Sequence, residues 1–470
     1  MNANTRYTMG VALIVALGGF LMGFDASVIS GVVGFIGPEF DLTKIQVGWA
    51  VASLTLTSTF AMMIAGPVSD RFGRKPVLKA AAFLFTLSAI ASAIAPDYLT
   101  LVAARMLGGF GVGAALIIAP MYIAEIAPAD IRGRMVSFNQ LNIVIGISVA
   151  YFSNYLILSL GQSDLAWAQS LHLGDWNWRW MLGVEALPAI LYFFALFSVP
   201  ESPRWLLMRG KATQALAILE RVSGKVKAAA DLGAVQASLD DEANKEKGTL
   251  KELFMPAMRL VLTIGIVIAI LQQITGINSV FFYAPMIFEQ SGIGTDAAFM
   301  QAVLVGIVNL VATIVAILLI DKLGRRPLMI SGLVIIATSM MLLAYGFGSA
   351  EQGPGGELIN MNPSLILFGI LGFVAGFGIS LGPVMWVLFS ELFPNRIRGI
   401  AISFCGLINS SVSFVVQLVF PWELENFGPS TTFLIYGSFA IVGLVFVMRI
   451  LPETKGRSLE ELESELVTHK

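Results

Sequence analysis

Apolar stretches of about 20 residues, long enough to cross the hydrocarbon core of a bilayer as helices, fill most of the chain. The first half contains six of them, which predict membrane spans at residues 9–33, 44–65, 76–95, 98–124, 134–160 and 179–199. The second half contains six more, at residues 257–289, 298–320, 327–348, 363–389, 397–420 and 429–450. We number them spans 1 to 12, and they predict an all-α membrane protein.

The longest polar segment, residues 200–255, separates the two sets of spans. Leu216, Leu219 and Val222 recur there at helical spacing, which is typical of amphipathic helices at a membrane surface. We therefore expect an N-terminal six-helix bundle at 1–199, a cytoplasmic helical linker at 200–255, a C-terminal six-helix bundle at 256–450 and a cytoplasmic tail at 451–470.

The composition agrees with a membrane location. Of the 470 residues, 56% are hydrophobic and 13% are charged, whereas soluble domains carry about 25% charged residues. Cys405 is the single cysteine, so no internal disulfide or thiolate metal cluster can form. His172 and His469 are the two histidines, too few for histidine catalysis or a zinc site. We expect no enzyme activity, metal, cofactor or nucleic-acid partner.

Lysine and arginine predict the orientation, because they accumulate in cytoplasmic loops. With both termini cytoplasmic, only Lys44 and Arg179 lie outside, and Arg105 lies within a span. The first apolar run could be mistaken for a secretory signal, but it is too long, contains Asp25 and leads directly to another span. We expect a multi-pass inner-membrane protein with an uncleaved first helix, and a monomer.

Three short strings occur once in each half, in the same order, after the second, fourth and sixth span of that half. They pair Asp70–Pro76 with Asp321–Pro327, Glu125–Gly133 with Glu391–Gly399, and Pro200–Ser202 with Pro452–Thr454. Two related six-helix halves suit alternating access around a site between them.

These strings also carry a family resemblance over essentially the whole chain. The loop Gly66–Pro76 resembles the signature of the major facilitator superfamily. Its sugar porter family is indicated by three further strings, at Pro200–Arg204, Gln272–Asn278 and Pro452–Arg457. The run Gly23–Gly31 is similar to that of the bacterial proton-coupled members of the D-xylose symporter type. The resemblance implies a major facilitator fold and sugar transport.

Three charged residues lie within the spans of the first half: Asp25 in span 1, Arg105 in span 4 and Glu185 in span 6. A charge at mid-span costs about 2.5–3.5 kcal/mol on insertion scales, so such residues usually serve function. Counting from the span ends places the three at similar depth, which a buried network requires. We interpret Asp25 as the proton carrier, Arg105 as its modulator and Glu185 as a member of the network. The alternatives are a static salt bridge between spans 1 and 4 and, for Glu185, a packing role. Passive facilitators of the family tend to have a neutral residue at the position matching Asp25.

Amide side chains also occur within several predicted spans of both halves. Amides both donate and accept hydrogen bonds, which matches hydroxyl groups, and an indole face packs on the apolar face of a sugar ring. Bonding between helices is the alternative use of these amides. The candidates for a neutral sugar site are Gln140, Gln272, Gln273, Asn278, Asn309, Trp386 and Asn409, with Gly276 as a predicted break in span 7.

The resemblance assigns sugar contact to all of these candidates except Asn409. The chain departs from the family at three positions of that pocket: Ser410 replaces a common tryptophan, Met22 a frequent phenylalanine and Phe282 a frequent tyrosine. A hexose, a pentose or a cyclic polyol therefore remains open as the substrate.

Charged residues of both signs cluster at the predicted inner ends of the spans. We interpret them as a gate whose pairs close the inside in the outward-open state; the alternative is that they only mark topology and snorkel. The residues are Asp70, Arg74, Glu125, Arg134, Glu201 and Arg204 in the first half and Asp321, Arg325, Glu391, Arg398 and Glu453 in the second.

The sequence thus predicts a secondary transporter that imports a neutral sugar with a proton. A passive sugar or polyol facilitator is the first alternative, and a non-transporting sugar sensor is the second.

Overall fold

A computed structural model describes residues 3–128, 131–244, 248–352, 358–359, 361–394, 396–457 and 461–462. Twelve helical segments in this part of the chain are long and apolar enough to cross a membrane. They correspond one to one to the twelve predicted spans, so the predicted all-α membrane fold is confirmed. The protein is a multi-pass membrane protein.

Spans 3 to 6 begin and end within two residues of their predicted bounds, whereas span 1 begins six residues earlier than predicted and span 2 ends seven residues later. Spans 1 to 5 are Ala3–Val28, Lys44–Phe72, Arg74–Ala93, Tyr98–Ile126 and Arg132–Gly161. Span 6 consists of two helices, Asn177–Gly183 and Ala186–Ser198. A 3₁₀ turn, Ile29–Gly31, continues span 1, and short helices follow spans 1 and 5 at Val33–Glu39 and Ala166–Ser170.

The spans of the second half include two that are broken near the middle. Span 7 consists of Arg259–Ile274 and Ile277–Glu289, and span 10 of Pro363–Ile379 and Leu381–Leu392. The others are Thr295–Leu323, Arg325–Gly348, Arg398–Asn426 and Gly428–Ile450. Two-residue strands, Glu351–Gln352 and Leu358–Ile359, pair antiparallel between spans 9 and 10.

The break in span 7 occurs at Gly276, as the sequence predicts. Gly276 has a φ of 92°, and a Cβ atom there would lie 2.4 Å from the ring of Tyr436. Only glycine adopts this left-handed conformation without strain, and here it also leaves room for the tyrosine. The break therefore separates the amides of the first helix from Asn278 in the second.

The polar segment between the two halves forms the helices Pro203–Met208, Ala212–Ser223, Lys225–Asn244 and Leu250–Leu253, with a 3₁₀ turn at Pro256–Met258. Leu206, Leu207 and Ala215 are buried together against partly buried Trp205 and Leu239. The linker helices thus form a small apolar cluster of their own.

The chain divides into two compact units. Unit 1 comprises residues 1–28, 53–150 and 178–246, and unit 2 comprises residues 29–52, 151–177 and 247–470. In unit 1, span 4 packs on spans 1 and 3; in unit 2, span 9 packs on spans 10 and 12. Each unit holds two of the polar clusters described next.

Candidate functional site

Asp25 and Arg105 form an ion pair in unit 1 between spans 1 and 4. Arg105 Nη1 lies 2.5 Å from Asp25 Oδ1 and 3.0 Å from the Asp25 carbonyl oxygen. Both residues are only 1% exposed. Asp25 Oδ2 and Arg105 Nε are buried without a hydrogen-bond partner. The pair therefore neutralises two buried charges but leaves one carboxylate oxygen unused.

Glu185 lies at the break between the two helices of span 6, and it is 2% exposed. Its Oε1 is buried and makes no hydrogen bond, and the charges of Asp25 and Arg105 both act on it electrostatically. Three ionisable groups of one unit thus share a buried region, and Asp25 and Glu185 each keep one oxygen without a hydrogen-bond partner.

Gly108 lies one turn beyond Arg105 on span 4 and faces the unused oxygen of Asp25. A Cβ atom at Gly108 would lie 2.7 Å from Asp25 Oδ2 and 2.6 Å from Ser88 Oγ. Real Cβ atoms do not approach other atoms this closely, so the Asp25 carboxyl occupies space that only a glycine leaves open. Gly108 was not predicted from the sequence, because its role follows from the contact between spans.

We expect Gly108→Ala to impair sugar accumulation driven by a pH gradient, because the added methyl group displaces the Asp25 carboxyl. Overpacking of this kind costs about 1–3 kcal/mol. Gly10→Ala is the control, since Gly10 lies on span 1 with nothing within 4 Å of an added Cβ. Uptake into proteoliposomes measures the effect, and equal accumulation by the two variants would contradict the expectation.

Four of the predicted amides form one hydrogen-bonded cluster in unit 2, between spans 7 and 11. Gln273 Nε2 donates to Asn409 Oδ1 at 3.2 Å and to Gln272 Oε1 at 3.1 Å. Asn409 Nδ2 donates to Gln272 Oε1 at 2.7 Å, and Asn278 Nδ2 donates to Gln273 Oε1 at 2.8 Å. The amides therefore hold one another in fixed orientations, ready to exchange hydrogen bonds with hydroxyl groups.

Span 11 adds two residues to this cluster that were not predicted from the sequence. Asn278 Nδ2 donates to Ser413 Oγ at 2.6 Å, and Gln417 Nε2 donates to the same oxygen at 2.8 Å. Asn409, Ser413 and Gln417 follow one another at four-residue spacing, so they share one face of the helix. That four-residue spacing could have predicted from the sequence that Ser413 and Gln417 lie on the same face of span 11 as Asn409.

The three other predicted contact residues are Asn309 and Trp386 in unit 2 and Gln140 in unit 1. In unit 2, Asn309 on span 8 is buried, and Trp386 on span 10 is 46% exposed and packs edge-on against Phe389. Gln272 Nε2 donates to the Leu381 carbonyl oxygen of span 10 at 3.0 Å. Gln140 belongs to unit 1, where its side chain is exposed on span 5.

Among the departures from the family pattern, Phe282 is buried in span 7, Ser410 is partly exposed on span 11 and Met22 is partly buried in unit 1. Ser410 is the next residue after Asn409 of the amide cluster, at the position of the common tryptophan. The missing indole leaves the surroundings of the cluster less aromatic.

The N-terminal charged cluster, which lies in unit 1, centres on Arg74. Its guanidinium donates to both oxygens of Glu125 at 2.9 Å and to Asp70 Oδ1 at 2.7 Å. Glu201 accepts the backbone N–H groups of Arg74 and Lys75 at the start of span 3. Burial raises the pKa of Glu201, and these backbone donors oppose the rise.

The C-terminal charged cluster, which lies in unit 2, repeats this arrangement residue by residue. Arg325 donates to both oxygens of Glu391 at 3.2 and 2.7 Å and lies 3.2 Å from Asp321. Glu453 accepts the backbone N–H of Arg325 at 3.1 Å. Gly73 and Gly324, each just before the arginine, have φ values of 105° and 94°. The sequence repeat therefore reflects a structural repeat.

The three remaining residues of the predicted gate are placed differently. Arg204 lies 3.4 Å from Ser238 Oγ in the linker, and Arg398 donates to the Phe393 carbonyl oxygen at 3.2 Å. The side chain of Arg134 lies outside the described part of the structure.

Twelve spans and a residue-by-residue repeat of charged clusters are typical of a membrane transporter, and the buried ion pair and the amide cluster are its candidate functional groups. The family profile described as "Sugar (and other) transporter" matches residues 11–466. The chain therefore belongs to the sugar transporter family, within the major facilitator superfamily, and this family consists of transporters rather than enzymes.

Characterised relatives cover nearly the whole chain. It is 38% identical to the arabinose-proton symporter of Bacillus subtilis, over 97% of this chain and 95% of that one. It is also 38% identical to the D-xylose-proton symporter of Escherichia coli K12, over 98% and 96% of the two chains. The inward-open structure of the E. coli xylose transporter matches with a TM-score of 0.81, at 36% identity, over 98% of this chain and 100% of that one.

Proposed function

We propose that the protein imports a neutral monosaccharide together with a proton, by alternating access. The observation that carries the proposal is the buried Asp25–Arg105 ion pair with its unused carboxylate oxygen. The similar proteins named as sugar–proton symporters support it, because they match over almost the whole chain.

Coupling of sugar transport to proton transport follows from the cost of an unpaired carboxylate charge inside a membrane. While Arg105 contacts Asp25, the pair is neutral overall and the carboxylate persists. If the guanidinium withdraws, an unpaired anion stays behind at a depth where a bare charge is costly, and a proton removes that cost. When Arg105 returns, it competes with the proton and favours its release. Arginine keeps its own proton throughout, so it can only modulate.

Glu185 takes part in this coupling as a third group. Its position near both charges, with one unpaired oxygen, supports membership of the proton network rather than simple packing. Protonated, it adds a donor to the region; ionised, it adds a second negative charge beside Asp25. Its state therefore biases how tightly Arg105 is held.

The amide cluster of unit 2 is the proposed sugar site. Gln272, Gln273, Asn278 and Asn409 supply donors and acceptors without a formal charge. Asn309 and Trp386 of the same unit, and Gln140 of span 5, complete the set of proposed contacts. With serine at position 410, the site takes a pentose or hexose without requiring xylose itself.

We also propose the orientation and organisation given by the charge pattern. Both termini and the linker at 200–255 face the cytoplasm, between bundles at 1–199 and 256–450, and the tail at 451–470 follows the second bundle. The transporter acts as a monomer in the inner membrane. The N-terminal and C-terminal charged clusters, with Arg134, Arg204 and Arg398, form the cytoplasmic gate.

Uptake by proteoliposomes with an imposed pH gradient tests the function. The panel contains D-xylose, arabinose, D-glucose and myo-inositol, and a pH dye inside the vesicles reports proton uptake. We expect a pentose or hexose to enter with protons and to accumulate. Sugar uptake without proton movement would make the protein a passive facilitator, and no uptake of any compound would favour a sensor.

A further inference from the structure

A cavity of about 320 Å³ opens in unit 2 where spans 1 and 7 end and span 8 begins. Its wall includes Ser30, Gly34 and Phe35 from the chain after span 1, Glu289 from the end of span 7, and Thr295 and Phe299 from span 8. The cavity lies at the lower end of the size range of small-molecule sites, about 300–1,000 Å³. It shares no residue with the amide cluster, and Glu289 follows Gln273 on span 7 by about four helical turns.

Glu289 and Thr295 are the more exposed polar residues of the wall. Ser30 also belongs to the wall, but it is 2% exposed and its hydroxyl is buried. Glu289 accepts a hydrogen bond from Thr295, which leaves further acceptor capacity on its carboxylate.

The apolar part of the wall includes two aromatic rings beside Pro285, Met286 and Ile293, and the charged residues of the wall limit the class of ligand. The rings of Phe35 and Phe299 lie with centroids 6.3 Å apart and an interplanar angle of 56°. Among the described residues that line the cavity there is no lysine, arginine or histidine, which disfavours an anion. Glu289 is the single carboxylate of that lining, and the described residues contain no cluster of three or more metal-ligating side chains. Hydroxyl, carboxylate and aromatic groups together suit a small neutral polyol.

We propose that this cavity is a second sugar-binding subsite, separate from the amide cluster. This proposal rests on the proposed function for the class of ligand and for the orientation of the chain. In that orientation the cavity faces the outside and receives sugar before the amide cluster does. Glu289 and Thr295 bond to sugar hydroxyl groups, and the aromatic rings contact the apolar face of the sugar. The subsite concentrates the sugar at the outer ends of spans 1 and 7.

Equilibrium binding to a protein with a disabled central site tests the proposal. The background variant is Gln273→Ala, and the probes are tritium-labelled D-xylose, arabinose and D-glucose, each tested by dialysis against the detergent-solubilised full chain. We expect saturable, weaker binding of at least one of these sugars to remain in this background. Adding Glu289→Gln weakens it about tenfold, because the amide oxygen is a weaker acceptor than the charged carboxylate. Adding Gly34→Leu, which fills the cavity, removes it.

Gly37→Leu is the matched control, since Gly37 lies one turn further along the same short helix and does not line the cavity. It should leave the residual binding unchanged. The absence of residual saturable binding, or residual binding that neither Glu289→Gln nor Gly34→Leu weakens, would overturn the proposal. Because the readout is binding without a gradient, failure here leaves proton coupling unaffected, and failure of coupling leaves this result unaffected.

Discussion

Asp25→Asn should abolish proton-driven sugar accumulation and leave sugar counterflow measurable. An amide cannot carry a proton between the two sides, whereas counterflow needs only sugar binding and the change of access. For one proton per sugar, a gradient of one pH unit supports up to about tenfold accumulation, because one unit corresponds to 1.36 kcal/mol. The variant should lose all of it. Accumulation in proteoliposomes and exchange of labelled for unlabelled sugar measure the two properties separately.

The single substitution has a structural cost that needs its own control. It leaves the Arg105 guanidinium buried at 1% exposure without its anion, and breaking a buried pair costs about 3–5 kcal/mol. The double variant Asp25→Asn, Arg105→Met removes both charges and should recover thermal stability without recovering accumulation. Accumulation above equilibrium by either variant would contradict the role of Asp25.

The sequence was sufficient for the features that depend on the chain alone. The lengths of the apolar stretches set the number of spans, and the break at Gly276 followed from a glycine between polar residues in span 7. The repeated strings anticipated the matching arrangements around Arg74 and Arg325, because identical local geometry requires the same glycine and charges at the same spacing.

Features that depend on packing between spans could not be predicted from the sequence. Gly108 looks like any small residue of a crowded helix until span 1 places Asp25 Oδ2 against it. The cavity beside Glu289 is built from three segments whose proximity no periodicity encodes. Ser413 and Gln417 are an intermediate case, since their spacing was visible but the hydrogen bond from Asn278 to Ser413 was not.

The two charged clusters, although similar in geometry, differ in burial. The side chain of Arg74 is 4% exposed and that of Arg325 is 12% exposed. Their glutamate partners, Glu125 and Glu391, differ in the same direction, at 9% and 19%. Since a more buried pair is weakened less by solvent, the N-terminal cluster should contribute more to the stability of its unit.

Glu125→Gln should therefore lower the unfolding temperature more than Glu391→Gln does, because it removes the bidentate acceptor of the more buried arginine. The loss of unfolding free energy approaches that of a broken buried ion pair, which is about 3–5 kcal/mol. In Glu125→Gln, the ion pair of the Arg74 side chain that remains among the described residues is the one with Asp70, whose side chain is 54% exposed. Thermal unfolding of the two variants in detergent measures the difference.

Glu125→Gln also distinguishes two roles of the N-terminal charged cluster: a gate between conformations, or a stabilising contact within its own unit. If the cluster closes the cytoplasmic side in the outward-open state, Glu125→Gln also shifts the population towards the inward-open state, and a bias of about 1.4 kcal/mol corresponds to a tenfold shift. Distances between spin labels on the two bundles report that population. If the cluster only stabilises the contacts among its own helices, the unfolding temperature falls and the spin-label distances stay unchanged. That combination would refute the gate. We expect both quantities to change, because the cluster joins the ends of spans 2, 3 and 4 and so fixes the surface that a closing movement must meet.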